Sequence, residues 1–136
     1  MKIGVLQFFG WADRNVSLAS VYDRALERFG VMDRTGYDAV WLAEHHFSSF
    51  SVCPSVHMMA TMAAAQTEKL RIGTAVSLAP FYHPLRLAEE VALLDVLSGG
   101  REHHRGKRPA EQSTHWPSPY WVLHNIEMAG DRIKQA

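Results

Sequence analysis

Three times between Ile3 and Gly100 the chain changes from a short apolar run to an amphipathic stripe with a helical period, and this repeated change leaves few folds open. Residues 3–9, Ile-Gly-Val-Leu-Gln-Phe-Phe, read as a largely buried strand closed by Gly10. From about residue 20 to 35, Val21, Ala25, Phe29 and Met32 fall on one side while Asp23, Arg24, Glu27 and Arg28 take the other. That spacing predicts a helix, with Ser17 or Ser20 to cap it and Gly36 to end it in the left-handed conformation. Residues 38–46 return to strand character. A second helix is expected to begin at Pro54 and run through residues 56–65, a third strand over residues 70–76, and a third helix from Pro84 to the stop at Gly99-Gly100, with Leu87, Val91 and Leu94 on one stripe. The order βαβαβα with near-continuous apolar strands implies a parallel sheet covered by helices.

Composition narrows the function classes. Lys plus Arg number 14 against 14 Asp plus Glu, so there is no basic excess of the kind a nucleic-acid partner requires. An apolar share of 47% allows a buried core and excludes disorder along the whole length. The single cysteine, Cys53, cannot form an internal disulfide, and the first residues lack the order of a secretory signal. Residues 52–65 and 85–97 are interrupted by His57, Arg86, Glu89 and Glu90, so neither reads as a membrane span. A soluble, cytoplasmic protein is expected.

The pattern breaks at Arg101. Residues 102–136 hold four of the eight histidines and three of the six prolines, and Glu102-His-His-Arg-Gly-Lys-Arg-Pro109 carries no apolar residue where a buried strand is due. We therefore divide the chain into a βαβαβα part, residues 1–101, and a divergent, poorly ordered tail, residues 102–136, in which residues 121–129 could form a short helix. The tail is either a natural short form or the product of a frameshift.

Chemistry concentrates in Trp41-Leu-Ala-Glu44-His45-His46-Phe47, at the carboxyl end of the second strand. In parallel α/β folds that end faces the ligand crevice. Strand alternation points His45 opposite to Glu44 and His46. The alternative is structural: a histidine capping loop carbonyls and Glu44 paired with a basic neighbour. Adjacent His45 and His46 diverge, as do His103 and His104, which weakens a metal reading. Cys53 reads as a small buried thiol, and His57, Met58, Met59 and Met62 as core packing rather than a cofactor wall. Gly73-Thr-Ala-Val76 is small enough for a planar ring to approach backbone. The segment 81–84, Phe-Tyr-His-Pro, has two readings, the edge of a substrate loop or ordinary helix entry, and helix entry is favoured. No phosphate-cradling glycine motif for a dinucleotide or nucleoside triphosphate occurs.

Three motifs in order, Gly36-Tyr-Asp-Ala-Val-Trp-Leu-Ala-Glu-His-His-Phe47, Leu70-Arg-Ile-Gly-Thr-Ala-Val76 and His83-Pro-Leu-Arg-Leu-Ala-Glu-Glu-Val-Ala-Leu-Leu-Asp-Val-Leu-Ser-Gly-Gly-Arg101, resemble the N-terminal part of the bacterial-luciferase-like flavin monooxygenases over residues 2–101. The resemblance implies a truncated (β/α)8 TIM barrel, its first three βα units. It also implies reduced FMN supplied by a reductase, or F420 in some branches, with O2 and a small organic substrate. His45 corresponds to the family's active-site base, and Ala75-Val76 to a non-proline cis peptide beneath the flavin ring. Glu44 joins them as a cofactor-side residue, and Phe8, Trp41 and Phe81 are candidate pocket walls. No metal is expected.

After Arg101 the resemblance stops, and with it the segments that hold the flavin phosphate in the family. Three readings follow: a flavin-dependent monooxygenase of impaired activity, a catalytically silent fragment that self-associates through exposed apolar faces, or a small metal-dependent hydrolase using Glu44, His45 and His46.

Overall fold

Ser17 starts the first helix: its Oγ accepts the Ser20 N–H at 3.2 Å, and Leu18–Thr35 (α1) follows. Gly36, at φ 83°, ends it and returns its N–H to the Met32 carbonyl. The four residues of the apolar stripe, Val21, Ala25, Phe29 and Met32, are the four that α1 buries. The computed structural model describes residues 1–103.

Around this helix the order is β1 (Gly4–Gln7), α1, β2 (Ala39–Leu42), α2 (Val56–Gln66), β3 (Arg71–Thr74), α3 (Pro84–Ser98) and β4 (Glu102–His103). The strands form one parallel sheet in the order β1-β2-β3-β4, with Leu6 opposite Trp41 and Trp41 opposite Gly73. All connections are therefore crossovers through helices, as the alternation predicts. Strands are shorter than expected and α2 begins at Val56, after Pro54, because Ser55 is the cap whose Oγ receives the Met58 N–H. Among the described residues no helix is long and apolar enough to cross a membrane.

One face of the sheet is sealed. Val40, Leu42 and Ile72 point to the helices and pack with Phe29, Val56, Ala60 and Ala63 in the main core. On the other face Leu6 is 47% exposed and the Trp41 indole lies over two glycines; a Cβ at Gly73 would overlap its six-membered ring. The planar group that the small residues of β3 accommodate is thus the chain's own Trp41. Met58 and Met62, expected in the core, stand exposed on the outer side of α2, because a helix packed through Val56, Ala60 and Ala63 turns those positions outward.

A second correction falls at Arg101. The sheet does not stop there: Glu102 pairs with Ile72 and His103 with Gly73. A ladder needs backbone groups rather than apolar side chains, and the backbone is delivered by Gly99 and Gly100, both at positive φ, and by Arg101. The Arg101 guanidinium donates to the carbonyls of Ser98, Leu70 and Ala64 and to Thr67 Oγ1, at 2.6 to 3.0 Å. Beside it the Asp33 carboxylate accepts the N–H groups of Glu68, Lys69 and Leu70. These contacts lock the amino ends of the strands, which in parallel barrels is the end of stability rather than chemistry. The expectations for the tail from residue 104 onward, including its order, its helix and His104, lie outside the described residues.

Candidate active site at the carboxyl ends of the strands

The chain leaving β2 is pinned before it reaches the next helix. His45 N–H donates to the Cys53 carbonyl at 3.0 Å, Val52 N–H to Phe9 at 2.9 Å, and Trp11 N–H to Ser49 at 2.9 Å, so residues 49–53 run back along the end of β1. Ser51 Oγ, fully buried, takes the Phe9 N–H. Phe47 makes the reversal with φ 53°. Cys53 sits beneath this loop with its thiol pushed up to about 12 by burial, which makes it packing and not a nucleophile.

On one side of this segment His45 is half-buried among aromatic rings: Phe8 at 5.8 Å and Phe50 at 5.6 Å between centroids, with Phe8 and Phe50 at 5.0 Å from each other. On the other side Glu44 turns inward. Its side chain is fully buried; Oε1 meets His46 Nε2 at 2.8 Å and Oε2 accepts the Leu78 N–H at 2.8 Å. Burial first, and then the Glu44 charge, push the Tyr82 phenol up, so it stays protonated. Phe81, 68% exposed, stands edge-on to His46 at 4.9 Å.

Behind Tyr82 lies His57, buried on α2, in contact with Ser77 Oγ at 3.0 Å and near Glu90 Oε2 at 3.8 Å. Burial holds its imidazole below the ordinary range, against the pull of Glu90 and Glu44. Ser77 is itself fully buried, so a serine and an imidazole within hydrogen-bond reach here form a packing contact that a substrate cannot approach.

Ala75 follows β3 directly, its N–H on the Leu42 carbonyl at 2.8 Å, and the Ala75-Val76 peptide bond is cis. The expected site residues thus separate into two groups. His45 and Phe8 stand together on one side; Glu44, His46 and Phe81 stand together on the other, with Ala75 and Val76 at the end of the adjoining strand. Trp41 lies deeper, on the open face of the sheet. Glu44 has both oxygens engaged within the protein. His45 is turned away from the Glu44–His46 pair, and among the described residues no group of three His, Cys, Asp or Glu could hold a metal ion.

Phe50, Ser77 and the Leu78 N–H are not singled out by the sequence, and Tyr82 enters only as part of the 81–84 segment. Tyr82 had the one usable signal, a phenol beside a helix-opening proline in the loop after a strand, where the carboxyl ends of parallel strands gather polar groups.

Against known proteins, the profile of the family described as luciferase-like monooxygenase matches residues 1–103. The oxygenase component of a flavin-dependent trigonelline monooxygenase from Acinetobacter baylyi is 38% identical over 81 residues, 60% of this chain and 22% of that protein. Among solved structures, the monooxygenase RslO1 from Streptomyces bottropensis superposes with a TM-score of 0.74 at 27% identity, covering 91% of this chain and 36% of its own. The oxygenating constituent of 3,6-diketocamphane monooxygenase from Pseudomonas putida, in complex with FMN, gives 0.72 at 21% identity over 90% of this chain and 32% of its own, a likeness of fold. The chain therefore spans about a third or less of the length of these proteins.

Proposed function

The chain belongs to the luciferase-like monooxygenase family, and from that membership we propose that residues 1–101 are three βα units of a (β/α)8 barrel that face reduced flavin in an O2-dependent monooxygenase acting on a small organic substrate. The observation that carries the reading is the position of His45, flanked by Phe8 and Phe50 after β2, at the same carboxyl end of the sheet as Ala75-Val76 after β3. An imidazole in an apolar surround can hold or accept a proton where water is thinned out.

The described residues fit the ring of a flavin and not its phosphate. Small Ala75 and Val76 leave backbone approachable by a flat ring, while Phe8 and Phe50 supply the apolar flank. The cations are elsewhere: Lys2, Lys69, Arg71 and Arg101 stand at the amino ends of the strands. On the carboxyl side Arg14 is stacked on Trp11 and Arg86 is paired with Glu90. When bound, reduced flavin supplies the electrons that place one atom of O2 in the substrate and release the other as water. His45 holds the proton this chemistry moves, the Ala75-Val76 backbone sets the depth of the ring, and Phe81 borders the substrate. Among the described residues these cations leave the phosphate without a partner, so residues 1–103 by themselves would bind FMN weakly, and impaired activity of this chain belongs to the same proposal. F420 in place of FMN and a separate flavin reductase are the variants of this reading.

A second reading is a catalytically silent piece that self-associates. It is favoured by the open face of the sheet, where Leu6 is 47% exposed beside Trp41. Titration of the purified 136-residue chain with reduced and oxidised FMN, followed by flavin fluorescence and size-exclusion elution, separates the two. Saturable binding by a compact species that His45→Ala weakens supports the first; soluble assemblies without binding support the second.

A further inference from the structure

Glu44 is the one carboxylate in the Glu-His-His-Phe run, and its geometry has a chemical consequence for His46. A carboxylate oxygen at 2.8 Å from His46 Nε2 can only accept, so that nitrogen must carry hydrogen. In the neutral ring Nδ1 is then the lone-pair nitrogen, and among the described residues nothing donates to it, while 24% of the side chain remains exposed. Glu44 is in turn held by the Leu78 N–H at 2.8 Å and by complete burial of its side chain, which keep the carboxylate facing the ring. Phe81 closes one edge of the imidazole at 4.9 Å.

We propose that Glu44 is a positioning residue that holds His46 in the Nε2–H form, making Nδ1 of His46 a second proton acceptor at the carboxyl end of the sheet, on the side opposite His45. A proton arriving at Nδ1 forms an N–H bond there, the donor keeps its electron pair, and the cation that results stays hydrogen-bonded through Nε2 to the Glu44 carboxylate. The role of that acceptor toward a substrate rests on the monooxygenase reading; the Glu44–His46 arrangement does not.

The test is imidazole 15N spectroscopy on the full 136-residue chain, without flavin, in solution or on sedimented protein. A hydrogen bond to a charged acceptor is worth enough to favour one tautomer by more than about 10-fold, so the Nε2–H form of His46 should dominate by at least that ratio with a slowly exchanging ring proton. Glu44→Ala should reduce the ratio at least about threefold and abolish that proton signal, whereas Tyr82→Phe should leave the Nε2–H form dominant. A wild-type ring in which Nδ1–H is abundant overturns the proposal even if Glu44→Ala does not fold, and so does a folded Glu44→Ala with an unchanged ratio. Because no flavin is present, a failure here is separate from a failure of the FMN titration.

Discussion

The indole of Trp41 on β2 lies across Gly73 on β3, occupying the space that a side chain at Gly73 would need. Replacing Gly73 by Ala forces a Cβ into the ring, and overpacking of this kind costs about 1–3 kcal/mol. Urea unfolding should show that loss for Gly73→Ala. Combining it with Trp41→Leu should return part of it as a coupling of about 1 kcal/mol, since the two residues touch. Equal and additive losses would mean that the contact is not the cause.

Asp33 shapes the acid limb of stability. Burial raises its carboxyl, but the N–H groups of Glu68, Lys69 and Leu70 and the charge of Arg101 outweigh that and hold it below its ordinary 3.8. A lowered folded value means that the contribution is fully present above the ordinary range and is lost as pH falls through the folded value. Asp33→Asn should cost about 1 kcal/mol at neutral pH and flatten the loss of stability below pH ~4, read by urea midpoints across pH.

His57 acts at a milder pH. Its imidazole is held neutral chiefly by burial, below the ordinary 6.5, against the pull of Glu90 and Glu44. The unfolded chain therefore binds the proton first, so His57 lends stability above about pH 6.5 that declines as pH falls below it. Stability of the wild type between pH 7 and pH 5 should fall more steeply than that of His57→Gln; parallel profiles would remove His57 as the cause.

Cys53, with its thiol raised to about 12 by burial, should not react with an aromatic disulfide reagent at pH 8 in the folded chain and should react in full once denaturant is added. Rapid labelling without denaturant would place the loop after β2 in an open state.

Local signals read well because they act within a turn. Gly36 and Gly99 as left-handed stops and the buried positions of α1 are set by residues at most a few places apart, and the structure has them where the pattern put them; of the two cap candidates, Ser17 and Ser20, it is Ser17 that caps α1. Alternation after β2 likewise separates His45 from the Glu44–His46 pair. The α2 start was misplaced by two residues because Pro54 and Ser55 both carry helix-start signals, and only the Ser55 side chain makes the capping bond.

The repeated change of hydrophobic period was enough to determine a parallel sheet under helices and the end of it at which Glu44, His45 and Phe81 gather. The tertiary structure alone decided that Glu44 faces inward to the Leu78 N–H, that Trp41 takes the space over Gly73, and that Arg101 carries the chain into a fourth strand. Glu44 and Leu78 are 34 residues apart, and Arg101 reaches carbonyls 31 and 37 residues away. Periodicity and capping compare neighbours along the chain, whereas a buried carboxylate or guanidinium is placed by whichever distant backbone groups the fold leaves needing a partner.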